Sequence, residues 1–410
     1  MGKIIFFIAS GIIILSASVG GFLLFSQETS QQITEKKDES ALFPAATDRA
    51  GDMSLASDIE SELSIRGFRR LAENSADVSL IRTSGEEFIL YTSANAGHLY
   101  KTVLNTSASS TRLTSSSFPK TSATFFGKDK KGYRAIIQSL TNGHLGFFSG
   151  YFNPLTASSS EETPNLPGTA LSSLINKIAV NPSFDTVALL SRTSTGSKLE
   201  IADFDGSKPK LVTTSPLSDW HISWPEKTTL TLQTPASAAA TGIFLAIDLR
   251  NNKEKILASN ILGLAGKLSP DGKRLLYSET DRSAFNAVTL KIKPVATTTE
   301  NTLVSSLETF AEKCSWSADS SIIFCAVPQQ LPVAEYPDSW YRGEIVTVDQ
   351  IWSLNPQTAE ATKLFDPSKN SELKEFDTRK ILVSGDKRRL YLLTKNQALW
   401  ELDLDSLPKI

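Results

Sequence analysis

The sequence predicts an all-β domain built as a closed ring of repeated four-stranded sheets, carried behind one apolar helix. Three observations predict it. A turn-centred hairpin recurs seven times at near-regular spacing. The last repeat lacks a strand, and a matching strand stands ahead of the first repeat. A charge-free run near the N-terminus is long enough to cross a membrane.

Composition limits the alternatives. The 410 residues carry 42 Lys+Arg against 44 Asp+Glu, a net charge of −2, so no whole-chain field points to nucleic acid. Hydrophobic content of 40% with 21% charged residues is ordinary globular usage, which argues against a mostly disordered chain. Two Cys, 22 Gly and 18 Pro exclude disulfide-scaffold and collagen classes. The 3 His residues, His98, His144 and His221, are far apart and offer little for a histidine cluster.

The apolar run extends from Ile4 to Phe25 without a charge. About 20 residues of helix suit a hydrocarbon core, and helix is the state that satisfies its own backbone there. Ser16-Ala-Ser18 offers small residues for cleavage, but the apolar run resumes from Gly20 to Phe25. Residues 1–26 are therefore expected to be an uncleaved signal anchor, with cleavage as the alternative. Lys3 favours a cytoplasmic N-terminus, which puts the rest of the chain outside the cytoplasm. Residues 27–65 read as a polar linker: Glu35-Lys-Lys-Asp-Glu39 cannot bury enough apolar area to offset its ordering entropy. Within it, Leu55, Ile59 and Leu63 share one face of a possible short helix over Ser54–Leu63.

Residues 66–410 form the repeat domain. The clearest hairpin is Gly266-Lys-Leu-Ser-Pro-Asp-Gly-Lys-Arg-Leu-Leu-Tyr-Ser278. Pro270 presets φ at the second turn position and Gly272 accepts a positive φ. Weaker copies centre on Ser84, Lys130, Ser183, Pro225, Ala318 and Gly385. The spacing along the seven turns is 46, 53, 42, 45, 48 and 67 residues, close to the roughly 40–50 of a four-stranded blade. A seven-bladed β-propeller follows, with six or eight blades as alternatives. Helical periodicity is nearly absent here, which disfavours a parallel α/β sheet.

Fourth strands are expected at Thr111-Arg-Leu-Thr, Pro209-Lys-Leu-Val, Glu254-Lys-Ile-Leu and Thr362-Lys-Leu-Phe. After Leu404 the chain stops within a few residues, and Phe68-Arg-Arg-Leu-Ala-Glu73 precedes the first hairpin. Phe68–Glu73 is therefore expected as the outermost strand of the last blade. That arrangement closes the ring and removes open sheet edges.

Ser269-Pro-Asp-Gly-Lys-Arg-Leu-Leu-Tyr277, supported by Trp224-Pro-Glu-Lys and Trp316-Ser-Ala-Asp-Ser, resembles the TolB-type, WD-like β-propeller family. The resemblance covers about Gly67 to Ile410. It implies the fold and a binding platform, since the family uses these turns to close blades. The chain departs from better-known members in lacking a separate α/β domain and in keeping an anchor, so a role in the Tol system does not carry over. The resemblance points to a bacterial envelope.

Signs of catalysis are scarce. No Gly-x-Ser-x-Gly elbow, phosphate-binding Gly-Lys-Ser/Thr loop or CxxC pair is present. Asp203-Phe-Asp-Gly206 reads as a hairpin turn rather than a calcium loop. His221, at the start of an inner strand, reads as a packing residue. No catalytic, cofactor-binding or metal-ligating set is expected, and the reading leans away from an enzyme. A site assembled by several blades at the channel mouth is the alternative.

Cys314 and Cys325 stand symmetrically about one turn, so they face each other across a hairpin. Their spacing permits a disulfide if the domain is exported. Trp224, Trp316, Trp352 and Trp400 lie in strands and are expected in the core between blades. The long sixth step contains an insertion between Val327 and Ile351. It holds three prolines and the cluster Tyr336, Trp340, Tyr341 and Arg342. Aromatics with Arg dominate binding hot spots; the competing reading is a cap packed on neighbouring blades. The expected function is a membrane-anchored, non-catalytic module of the cell envelope that binds a protein or peptide. The alternative is an enzyme or glycan-binding domain with a site at the channel mouth. Oligomeric state is not legible.

Overall fold

In the last three blades the recurring turn folds in one way. Ser269 Oγ donates to Asp271 Oδ1 at 2.6 Å and accepts from the Arg274 amide at 3.0 Å. Ser317 with Asp319 and Ser384 with Asp386 repeat the hydroxyl bond, each at 2.6 Å. The third residue after each serine has a positive φ: Gly272 at 70°, Ser320 at 59° and Lys387 at 65°. Phe184, three residues after Asn181, does the same at 59°. The short polar side chains thus supply the turn's hydrogen bonds, and the left-handed residue closes it.

The computed structural model describes residues 67–407, apart from 83–85, 105–109, 130–131, 142, 155–162, 285–286, 297–300 and 368–372. The expected anchor (residues 4–25), the linker, the Ser54–Leu63 helix and the turn centres Ser84 and Lys130 lie outside the described residues. Among the described residues no helix is long and apolar enough to cross a membrane.

The described strands form seven antiparallel four-stranded sheets. Blade 1 comprises Ser75–Arg82, Glu87–Ser93, Leu99–Val103 and Ser110–Arg112. Blade 2 comprises Thr121–Asp129, Gly132–Thr141, His144–Phe152 and Gly168–Ala170. Blade 3 comprises Ile175–Val180, Thr186–Thr193, Gly196–Asp203 and Lys210–Ser215. Blade 4 comprises His221–Glu226, Thr229–Gln233, Thr241–Asp248 and Lys253–Leu262. Blade 5 comprises Ala265–Leu268, Arg274–Asp281, Ala287–Pro294 and Leu303–Val304. Blade 6 comprises Cys314–Trp316, Ile323–Pro328, Asp349–Leu354 and Ala361–Phe365.

Blade 7 takes Thr378–Val383, Arg389–Thr394 and Leu399–Asp403 from the C-terminal end of the chain and Phe68–Ala72 from the beginning. Phe68 faces Leu402, and Arg70 faces Trp400. The ring is therefore closed by the strand the sequence assigns to it.

Each pair of adjacent blades shares an apolar cluster. Phe88 and Leu90 meet Phe126 and Ile137 between blades 1 and 2. Ile136 meets Leu189 between blades 2 and 3, and Leu190 meets Trp224 between 3 and 4. Phe244 meets Tyr277, Leu276 meets Trp316, and Phe324 meets Trp400 at the next three interfaces. Tyr391 and Leu393 meet Ile89 and Tyr91 between blades 7 and 1. Seven interfaces for seven blades is the condition for a closed ring. Trp224, Trp316 and Trp400 are buried in these clusters, and Trp352 is half-buried against one of them. Close approach fixes some positions: a Cβ on Gly127 would stand 2.2 Å from the Phe204 ring.

Candidate functional site

The insertion leaves blade 6 after Pro328 and rejoins it at Asp349. It contains a single helical turn, Asp338–Tyr341. Its residues reach three other blades. Asp338 accepts the Ala238 amide of blade 4 at 2.7 Å. The Tyr336 carbonyl accepts from Thr280 Oγ1 of blade 5 at 2.9 Å. The Trp340 carbonyl accepts from Lys395 of blade 7. Ala238, Lys395 and the insertion itself lie in links between second and third strands, so the insertion spans one end of the ring.

Its aromatics divide into two roles. Tyr336 and Trp340 are only 2% and 5% exposed and pack with Phe310 and Val288. Burial pushes the Tyr336 phenol up to about 12. Tyr341 is 42% exposed, with its hydroxyl turned back to donate to Glu312 at 2.5 Å. Desolvation at that hydroxyl, with the Glu312 charge beside it, pushes its pKa up. Arg342 is exposed and holds Glu344 at 2.5 Å, which lowers the Glu344 carboxyl to about 2. Val333 and Val346 are 89% and 54% exposed on the same insertion. The four clustered residues of the sequence thus form a buried anchor, Tyr336 and Trp340, beneath a surface that carries Tyr341 and Arg342.

Below the anchor lies a charge cluster that sequence reasoning missed. Lys313, Asp349 and Asp377 have side chains 0%, 0% and 1% exposed. Lys313 Nζ donates to Asp349 at 2.8 and 2.9 Å, to Asp377 Oδ1 at 2.7 Å and to Thr347 Oγ1 at 2.7 Å. Trp340 Nε1 donates to both Asp377 oxygens at 3.0 Å. Lys313 precedes blade 6, Asp349 starts its third strand, and Asp377 precedes blade 7. No local motif joins residues 36 and 64 positions apart.

The inner strands bring a second set of charges to the axis. Asp77 of blade 1 holds Lys380 of blade 7 at 2.7 Å and accepts the Thr124 amide of blade 2 at 3.0 Å. Lys267 donates to the carbonyls of Glu312 at 3.0 Å and Cys314 at 2.6 Å. Burial pushes the Lys267 ammonium down to about 8, with Glu312 opposing. His221 starts its strand as expected but is exposed rather than packed, with the charges of Glu312, Lys177 and Asp219 around it. Desolvation lowers its pKa, with Glu312 opposing. Asp203–Gly206 is a turn closed by the Gly206 amide on the Asp203 carbonyl at 2.8 Å. Among the described residues no group of three His, Cys, Asp or Glu side chains is placed to hold a metal ion.

Cys314 and Cys325 are directly opposed in blade 6, Cα atoms 4.0 Å apart, and are joined as a disulfide. On the far side of the ring, a groove of about 330 Å³ runs between blades 2 and 3, lined by Leu171, Leu174, Leu189 and Asp205.

No family model matches the chain, and no curated protein matches it. Solved structures do. An oligogalacturonate lyase from Vibrio parahaemolyticus aligns at 11% identity over 82% of this chain and 93% of its own, with a TM-score of 0.52. Tricorn protease aligns at 11% identity and TM-score 0.48 over 83% of this chain, which spans only 34% of that protein. A TolB-type protein from Agrobacterium tumefaciens aligns at 12% identity over 59% of this chain and 81% of its own, with a TM-score of 0.37. The likeness to the lyase, at 11% identity, is one of fold alone, and the chain is assigned to none of these groups.

Proposed function

We propose that the chain is a membrane-anchored, extracytoplasmic propeller that acts as a non-catalytic protein- or peptide-binding module of the cell envelope. The observation that carries this reading is the blade 6 insertion. It is tied to blades 4, 5 and 7 and carries the exposed Val333, Tyr341 and Val346 as well as the Arg342–Glu344 pair. A fixed backbone bearing exposed apolar groups and charge meets a partner without an ordering penalty. The Ile4–Phe25 run would tether the propeller to the membrane, with residues 27–65 as the spacer.

Affinity capture from membrane extract tests it, using the full chain in detergent beside a Val333→Asp/Tyr341→Ala/Val346→Asp variant. A specific partner lost in the variant supports the reading. A partner retained by the variant returns the insertion to a cap. The second reading, a glycan or catalytic site at the channel mouth, is favoured by Lys177, His221, Lys267 and Lys380 on the inner strands. It predicts that Lys177→Ala and Lys380→Ala abolish binding while the insertion variant does not.

A further inference from the structure

The Lys313 cluster is an unusual place to keep charge. Three side chains, one ammonium and two carboxylates, are enclosed together, and the ring of Trp340 lies 5.1 Å from Nζ. Removing such ions from water costs several kcal/mol each even after relaxation. Burial pushes the Asp349 carboxyl up, with Lys313 opposing. An amine and a carboxylic acid in fixed contact, without competing water, are the reactants of amide formation.

The two carboxyl groups are not equivalent. Asp377 accepts Trp340 Nε1 on both oxygens at 3.0 Å and the Thr347 amide at 3.3 Å. Lys395 Nζ stands 3.9 Å away. Those donors withdraw charge from its carboxyl carbon and would hold a developing oxyanion. Asp349 also accepts the Thr378 amide at 2.7 Å and Thr347 Oγ1 at 2.8 Å, but it alone takes Lys313 Nζ with both oxygens, at 2.8 and 2.9 Å, which suits a proton carrier. Asp377 Oδ1 is 2.7 Å from Nζ, so the carboxyl carbon lies no more than one bond length farther. That approaches the roughly 3–3.5 Å of a near-attack contact.

We propose that Lys313 Nζ and the Asp377 side-chain carboxyl are joined by an intramolecular amide bond that forms once the propeller has folded, with Asp349 as the proton carrier. Lys313 first gives a proton to Asp349 and becomes a free amine. Its lone pair attacks Asp377 Cγ, forming the C–N bond. Asp349 relays two of the original ammonium protons to one Asp377 oxygen. The C–O bond breaks and that oxygen leaves as water; the third proton stays on the amide nitrogen. One positive and one negative charge disappear, and nothing is oxidised or reduced. The bond would tie the approach to blade 6 to the approach to blade 7 across 64 residues, beside the blade that closes the ring.

The test is mass spectrometry of the full chain, purified in detergent, reduced, denatured and digested with trypsin. The expected result is a joined peptide pair spanning Lys313 and Asp377, lighter than the sum of its parts by one water. Cleavage after Lys313 should be absent. Lys313→Arg and Asp349→Asn should give unjoined peptides of full mass, the latter from protein whose circular dichroism is unchanged. Separate, full-mass peptides from the natural sequence would overturn the proposal. A join through Asp349, or a bond that still forms in Asp349→Asn, would overturn the roles assigned here.

Discussion

Truncating Phe68 tests the closure of the ring. Phe68 is 2% exposed. Its ring stacks on Trp400 at 4.8 Å and on Phe365 at 4.7 Å, and meets Phe376 edge-on at 5.6 Å. Phe→Ala at such a site costs about 3–5 kcal/mol, with each aromatic pair contributing roughly 0.5–1.5 kcal/mol beyond area burial. The cluster cannot collapse easily, because Phe365 belongs to blade 6 and Trp400 to blade 7. The loss should therefore fall toward the upper end of that range. It should also loosen the pairing of Phe68–Ala72 with Leu399–Asp403. The assay is urea unfolding of the full chain in detergent, followed by tryptophan fluorescence, with hydrogen exchange at the Leu399–Asp403 amides. A cost below about 1 kcal/mol, or unchanged exchange at those amides, would show that Phe68–Ala72 does not close the ring, since a closing strand cannot lose its largest buried side chain without effect.

Other perturbations follow from the same contacts. Trp340→Phe keeps an aromatic ring but removes the donor to the buried Asp377 side chain, costing about 1–3 kcal/mol as a buried acceptor left short of a partner; limited proteolysis should then cut the insertion first. Gly272→Ala should cost about 1–2 kcal/mol from its φ of 70° alone, because a Cβ there meets nothing within 4 Å; thermal unfolding measures it. The Lys267 ammonium titrates near 8 when folded and near its ordinary 10.5 when unfolded, so the unfolded chain binds more protons between those values. Stability should therefore gain from Lys267 as pH rises from 8 to 10.5, and Lys267→Met should flatten that part of the urea-midpoint profile. Replacing both Cys314 and Cys325 with Ala, across a separation of 11 residues, should cost about 2–3 kcal/mol in oxidised protein; protein kept reduced should show no such difference.

Much of the fold was legible because it is written locally. A turn with its own hydrogen-bonding side chains needs no distant partner, so Ser269, Ser317 and Ser384 could each be read where they stand. Cys314 and Cys325 face each other because hairpin symmetry fixes register. The closing strand was legible from a count: one blade was a strand short, and Phe68–Ala72 was left over. The site was less legible. Composition cannot separate a hot-spot tryptophan from a buried one, so Trp340 and Tyr336 drew attention for the right residue type and turned out to be anchors. His221 looked like packing, because sequence does not tell which inner-strand positions stay exposed. Lys313, Asp349 and Asp377 gave no signal at all. They meet only because the ring brings the approaches to blades 6 and 7 together, and a lone Lys or Asp is ordinarily a solvated surface residue.

If the insertion on blade 6 is the surface a partner meets, residues on it should lie within reach of that partner in intact cells. Site-specific photocrosslinking in intact cells tests it most directly, with the photoreactive residue placed at Val333 or Val346 and, for comparison, at the exposed Ile256 on the outer strand of blade 4. One discrete protein adduct is expected from both insertion positions and none from Ile256. Adducts from Ile256 with none from Val333 and Val346 would contradict it.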